Sequence, residues 1–246
     1  MMSPGAVQQA VILAAGNGDR FHRGSPHSKL LTLVGGIPLL TRTLTAAYAA
    51  GITRAHLVLG YDADAVRRLA VQSAPGGLLL EFHLNSSCHR ENGLSVLAAR
   101  RALDRQPFAL MMGDHIFDPA VLRRLMRAHS ERGEVRLGID RQPCDAATAA
   151  EATKVRIEGD RIRAIGKVLD PYDALDTGLF VCDPCIFAAL EASCAAGDST
   201  LSGGIRRLAA AGRVRGVDIG TARWCDIDTM ADLRMAEQLI GASPGR

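Results

Sequence analysis

Short apolar runs alternate with amphipathic stretches over the first two-thirds of the chain. Residues 10–14, 55–59, 78–84, 108–112 and 135–139 are predominantly apolar segments of strand length. Between them, residues 38–50, 62–72, 94–103 and 119–129 place apolar positions at helical spacing. Gly51 ends the first of these helices, Asp62 is set to cap the second, and Pro119 falls in a first turn, where a missing N–H is tolerated. Such alternation predicts an α/β fold: a Rossmann-like, mixed but mostly parallel sheet with helices on both faces. The pattern then changes. Residues 154–157 and 162–167 flank Glu158, Gly159 and Asp160, the signature of a small β-hairpin. Residues 179–182 and 214–219 read as strands, and 184–195, 201–211 and 229–240 as helices.

The length of 246 residues suits a single domain, taken as residues 7–241, with its first half near 7–140 and the remainder near 141–241. The tails, 1–6 and 242–246, are rich in Gly, Ser and Pro and read as frayed. The net charge is only +3, and three Tyr, six Phe and one Trp offer few stacking platforms, so a nucleic-acid-coating module is disfavoured. No apolar run approaches the ~20 residues of a membrane span, and no basic segment precedes the first apolar stretch. The default expectation is a cytoplasmic protein with reduced cysteines and no membrane partner. Cys182 and Cys185 form a CxxC with no second pair to complete a zinc site, and read as small packed residues. Only three of the 29 basic residues are lysine: Lys29, Lys154 and Lys167. In an arginine-dominated chain, each marks a place where a compact ammonium suits better than a planar fork.

Candidate chemistry follows the first strand. Residues 14–20 read AAGNGDR, where glycines let the backbone approach phosphate oxygens closely. This is neither a Walker loop nor a complete dinucleotide fingerprint. The connection from Ala15 to Lys29 is long for a βα loop and carries Arg20 and Lys29, two cations able to neutralise a triphosphate and its pyrophosphate leaving group. Asp114 follows the apolar run 108–112, at the strand end where α/β sheets gather ligands and where Mg²⁺ finds carboxylates. Asp226 and Asp228 sit in WCDIDT before the last helix. Asp226 is the better second metal ligand, because Asp228 also reads as the N-cap of that helix. His115 reads as a packed, hydrogen-bonded histidine.

LAAGNGDR with Lys29, VGG at 34–36, MGDH at 112–115 and WCDIDT at 224–229 together resemble the nucleotidyltransferases that activate sugar and alcohol phosphates. NGLS at 92–95, MGDHIF at 112–117, EATKVRIEGDRIRAIGK at 151–167 and DTGLFV at 176–181 narrow the resemblance to the CTP:inositol-1-phosphate cytidylyltransferase group. Some members of that group carry a membrane-bound phosphotransferase domain after this one; this chain has the look of the stand-alone form.

The resemblance implies that Leu13, Ala14, Ala15, Gly16, Asn17 and Gly18 hold the nucleotide, with Asn92, Gly93 and Ser95 beside the base. It makes Arg20, Lys29 and Asp114 catalytic, and Asp114 with Asp226 the Mg²⁺ ligands. Lys154 or Lys167 would bind the acceptor phosphate, and Glu151, Asp176, Thr177 and Gly178 the acceptor body. Two departures stand out: Asp19 replaces a small hydroxyl residue, and Leu30 follows Lys29 where a proline is usual. The expected partners are an NTP and a small phosphorylated acceptor, with a homodimer left open. The alternatives are a phosphonate, cyclitol phosphate or hexose 1-phosphate acceptor, UTP or GTP as donor, and a non-catalytic nucleotide-sensing subunit.

Overall fold

The computed structural model describes residues 7–18, 20, 21, 27–103, 105–142 and 146–241. Its strands, in chain order, are β1 (Gln9–Ala14), β2 (Leu33–Val34), β3 (Ile37–Pro38), β4 (Arg54–Leu59), β5 (Leu79–Leu84), β6 (Phe108–Met112), β7 (His115–Phe117), β8 (Val135–Asp140), β9 (Lys154–Glu158), β10 (Arg161–Gly166), β11 (Ala174–Cys182), β12 (Val214–Asp218) and β13 (Trp224–Asp226). The helices are α1 (Leu39–Ala50), α2 (Ala63–Ser73), α3 (Asn92–Ala98), α4 (Arg100–Leu103), α5 (Pro119–Arg127), α6 (Ala146–Glu151), α7 (Cys185–Ala195), α8 (Leu201–Ala210) and α9 (Met230–Gly241).

Nine strands form one mixed sheet in the order β5-β4-β1-β6-β11-β8-β12-β10-β9. β5, β4, β1 and β6 run parallel. β11 then enters antiparallel between β6 and β8, and the β9–β10 hairpin closes the far edge. Alternate residues of β1 enter the cores on opposite faces, as a period of two requires. Ala10, Ile12 and Ala14 pack with α1, α2, α5 and α9. Val11 packs with α3, α4, α7 and α8.

The chain passes from β1 outward to β4 and β5, then returns to lay β6 on the other side of β1. The reversal opens a crevice beyond the carboxyl ends of β1 and β6, the general ligand position in open α/β sheets. There Gly113 donates its N–H to the Leu13 carbonyl at 2.9 Å. A Cβ on Gly113 would stand 2.8 Å from that oxygen, so the approach of the two strand ends depends on glycine.

Several elements depart from the sequence reading. Asp62 precedes α2 but does not cap it: it adopts a left-handed φ of 49° with no side-chain cap bond, and its carboxylate accepts the Ser28 N–H at 3.1 Å. The helix expected over 94–103 starts at Asn92 and divides at Ala99 into α3 and α4. β11 reaches back to Ala174, with a register shift between Asp176 and Phe180 where Gly178 takes a φ of 72°.

Candidate active site

Two acidic segments more than a hundred residues apart meet through a two-stranded antiparallel pairing in which Trp224 faces Phe117, Cys225 faces Ile116 and Asp226 faces His115. Asp226 therefore lies beside the 113–115 turn that carries Asp114. The buried Thr43 hydroxyl of α1 donates to the Gly113 carbonyl at 2.9 Å and holds the turn from below. Asp114, His115 and Asp226 can each offer one ligand atom such that all three atoms lie within 4.8 Å of one another.

Lys29 lies under this acidic group. Its Nζ is 2.7 Å from Asp114 Oδ2 and 2.7 Å from Asp228 Oδ1, and donates to the Ile227 carbonyl at 2.9 Å. Only 7% of Lys29 is exposed. Burial alone would lower its pKa, but the carboxylates of Asp114, Asp228 and Asp226 outweigh it and hold the ammonium above the ordinary lysine value. Asp228 also pairs with Arg20, whose other guanidinium nitrogen reaches Glu151 at 3.1 Å.

His115 is buried and donates from Nδ1 to the Thr177 carbonyl at 3.0 Å. This leaves Nε2 3.5 Å from Asp226 Oδ1 and 3.8 Å from Asp114 Oδ1. Burial would lower the imidazole pKa, but the Asp226 carboxylate, with Asp114 and the Thr177 carbonyl, pushes it up to about 9. Burial raises the Asp226 pKa, against the opposing pull of His115. Asp226 Oδ1 has no hydrogen-bond partner among the described residues. A buried carboxylate oxygen left in this way fits a cation-binding role.

The cleft encloses about 570 Å³. Of the expected residues, Leu13, Ala15, Gly16, Arg20, Asn92, Ser95, Asp114, Glu151, Lys167, Asp176, Gly178, Asp226 and Asp228 line it. Others stand elsewhere. Ala14 is buried in the core on the opposite face of the sheet. Asn17 and Gly18 lie outside the lining; a Cβ on Gly18, whose φ is +69°, would crowd the Lys29 side chain at 3.1 Å, so this turn seats Lys29. Gly93 donates its N–H to the Ser199 carbonyl, and a Cβ there would stand 2.5 Å from that oxygen. It is a helix-packing glycine. Thr177 is fully buried and donates its hydroxyl to the Gly138 carbonyl. Lys154 also falls outside the lining: its ammonium donates to the Lys167 carbonyl at 3.0 Å and the Ala150 carbonyl at 3.3 Å, so it ties β9 to the end of β10. Asp19 lies outside the described residues.

Asp228 is not the cap of α9. Thr229 accepts the Asp232 N–H at 3.2 Å while Asp232 accepts the Thr229 N–H at 2.7 Å, a reciprocal capping box. That frees Asp228 for Lys29 and Arg20. His115 and Arg90 also line the cleft, as does Trp224, whose indole donates to Asp140 Oδ2 at 2.9 Å. Single-copy tryptophan placed two residues before Asp226 was the available signal for that wall. Cys182 and Cys185 lie elsewhere; burial raises both thiol pKa values, that of Cys185 to about 11, so neither is an activated nucleophile.

Gly178 is the residue that admits His115 to the site. A Cβ at 178 would stand 2.3 Å from His115 Cε1, and the φ of +72° is itself costly for any side chain. Gly178→Ala is expected to destabilise the fold by about 1–3 kcal/mol and to displace the imidazole. A thermal melt together with a pyrophosphate-release assay checks both effects.

The crevice beyond the ends of β1 and β6, with its paired aspartates, fits a nucleotidyltransferase. The MobA-like NTP transferase domain model matches residues 10–213, and the chain belongs to that family. It is 38% identical over 236 residues to a bifunctional IPC transferase and DIPP synthase of Rubrobacter xylanophilus, covering 94% of this chain and 51% of that protein. The counterpart of Aquifex aeolicus is 31% identical over 95% of this chain and 52% of its own. The chain thus spans about half the length of these relatives. Its fold matches the inositol-1-phosphate CTP transferase of T. maritima with a TM-score of 0.83 at 23% identity, covering 98% of this chain and 99% of that one. Among the described residues, no helix is long and apolar enough to cross a membrane.

Proposed function

We propose that this nucleotidyltransferase moves a cytidylyl group from CTP to inositol 1-phosphate, giving CDP-inositol and pyrophosphate. The observation that carries the reading is the convergence of Asp114, Asp226, Arg20 and Lys167 on one switch-point crevice. The likeness to the T. maritima inositol-1-phosphate CTP transferase and to the Rubrobacter IPC transferase supports the choice of base and acceptor.

The acceptor phosphate is mostly dianionic near neutral pH, its second pKa being roughly 6. Its oxygen can attack the α-phosphorus without a strong base; the α–β phosphoanhydride bond breaks and pyrophosphate leaves. The residues have to align two anions and cancel their repulsion. Asp114 and Asp226 would hold Mg²⁺, which supplies charge neutralisation to the phosphates. Arg20 leaves its bridge to Asp228 and Glu151 to meet the departing pyrophosphate. Lys29, expected at the phosphates, instead stays buried outside the cleft lining, where it bridges Asp114 and Asp228 and lowers the Asp228 pKa. Lys167 draws in the acceptor phosphate, while Asp176, its carboxyl pKa raised by burial, and Glu151 face the acceptor hydroxyls.

A second reading has its own support. Over 131 residues, 51% of this chain, the sequence is 41% identical to a CMP-5'-(3-aminopropyl)phosphonate synthase of Streptomyces rubellomurinus, of which the match covers 20%. A phosphonate presents the same anionic head to Lys167. The test is pyrophosphate release with each of four NTPs against inositol phosphates, hexose 1-phosphates and phosphonates. CTP with inositol 1-phosphate should give the highest kcat/KM, and Lys167→Met should raise the acceptor KM about tenfold with little change in that for CTP. Turnover with a phosphonate or hexose phosphate but none with inositol phosphate would remove the inositol assignment and leave the class standing.

A further inference from the structure

A second cluster of metal-ligating side chains lies away from the cleft, on the last two strands of the parallel edge. In the β4–β5 pairing His56 stands opposite Glu81, and His83 lies two residues beyond Glu81, so all three project from the same face of the sheet. That face is the one covered by α3 and α4. Beside the cluster is a cavity of about 410 Å³ bounded by Gln9, Arg54 and Arg105. It opens near the amino-terminal ends of β1 and β4, whereas the cleft opens at the carboxyl ends.

The distances are those of a coordination set. His56 Nδ1 is 3.0 Å from His83 Nε2 and 3.3 Å from Glu81 Oε2, and ligand atoms from all three residues lie within 4.8 Å of one another. A tetrahedral Zn²⁺ with bonds of about 2.0–2.1 Å separates its ligand atoms by roughly 3.3 Å. His56 Nδ1 thus faces both Glu81 Oε2 and His83 Nε2 at spacings close to those of ligands around one cation. His56 is 1% exposed, so its Nδ1 is held in place against Glu81 and His83. Burial lowers the pKa of His56 and of His83, which keeps both imidazoles neutral and their lone pairs available near pH 7. Arg54 pairs with the other carboxylate oxygen, Glu81 Oε1, and leaves Oε2 to the histidines.

We infer that His56, Glu81 and His83 form a binding site for a zinc-class divalent cation, separate from the nucleotide cleft. Two imidazoles and one carboxylate suit Zn²⁺ and disfavour Mg²⁺, whose preferred ligands are oxygens. A cation there ties the edge strand β5 to β4 and gives the protein a metal-dependent stability that the transfer reaction does not require.

The test must separate this cluster from Asp114, His115 and Asp226. Full-length metal-stripped protein is titrated with Zn²⁺ by calorimetry in the presence of millimolar Mg²⁺, in parallel for wild type, His83→Gln, Glu81→Gln and Asp226→Asn. The expected result is one Zn²⁺ retained by wild type and by Asp226→Asn, with binding weakened at least tenfold in His83→Gln and Glu81→Gln. Zn²⁺ should also raise the melting temperature of wild type and of Asp226→Asn, and leave those of the two cluster variants unchanged. Glu81→Gln keeps the strand intact and serves alone if His83→Gln does not fold. Absence of stoichiometric Zn²⁺ in wild type, or its loss in Asp226→Asn with full retention in the cluster variants, overturns the site.

Discussion

Asp226→Asn is expected to lower kcat by about 10²–10³-fold, a loss of roughly 3–4 kcal/mol of transition-state stabilisation, while the protein stays folded. The substitution keeps shape and removes one negative charge. The backbone pairing of Asp226 with His115 is untouched, because it is made by main-chain groups. What disappears is the buried oxygen without a hydrogen-bond partner and the charge that faces His115. A divalent cation then has Asp114 as its remaining carboxylate in the three-residue cluster. The variant should therefore need more Mg²⁺ for half-maximal rate as well as turning over slowly. Pyrophosphate release measured across a Mg²⁺ series, beside a thermal melt, reads both effects. Near-normal turnover of Asp226→Asn would mean that the aspartate pair does not organise the reaction.

Some placements were legible because strand ends in an open α/β sheet share one rim. The apolar run 108–112 leads into the turn that carries Asp114 at a parallel strand terminus, and Asp114 lines the crevice there. The hairpin around Gly159 was legible because a φ of +62° calls for glycine. The misreadings share a cause: a local rule was overridden by a distant partner. Asp62 stands at a helix start, yet its carboxylate meets Ser28 N–H, thirty-four residues away. Asp228 has the cap position by spacing, but Asp232 completes a capping box with Thr229 and leaves Asp228 to two cations. Position 154 carries a scarce lysine as position 167 does, but the Lys154 ammonium spans backbone carbonyls while Lys167 is a lining residue of the cleft. Nothing local separates them; the hairpin register decides. The family resemblance put Gly93 beside the base; in the structure glycine is required there by the close passage of the Ser199 carbonyl.

Lys29→Met is expected to be the most destabilising single change at the site. The methionine fills the space of the stem, so the loss is electrostatic. Removing one partner from a buried ionic group costs about 3–5 kcal/mol, which for a chain of this size lowers the melting temperature by about 10 °C. The pH dependence identifies the cause. In the wild type the Lys29 pKa is raised on folding, so its contribution is fully present below the ordinary lysine value and is lost only as pH climbs through the higher folded value. The Asp228 pKa is lowered, despite burial, by Lys29 and Arg20, so its contribution is lost only as pH falls through that depressed value. Between pH 5 and 8 neither group should change wild-type stability. In Lys29→Met, Asp114, Asp226 and Asp228 face one another without the ammonium. Burial and mutual repulsion then favour protonated carboxyls in the folded state, and stability should rise as pH falls from 8 to 5. Melting curves of both proteins across that range provide the measurement. Parallel curves separated by a constant offset would show that Lys29 acts through packing rather than by holding the three aspartates together.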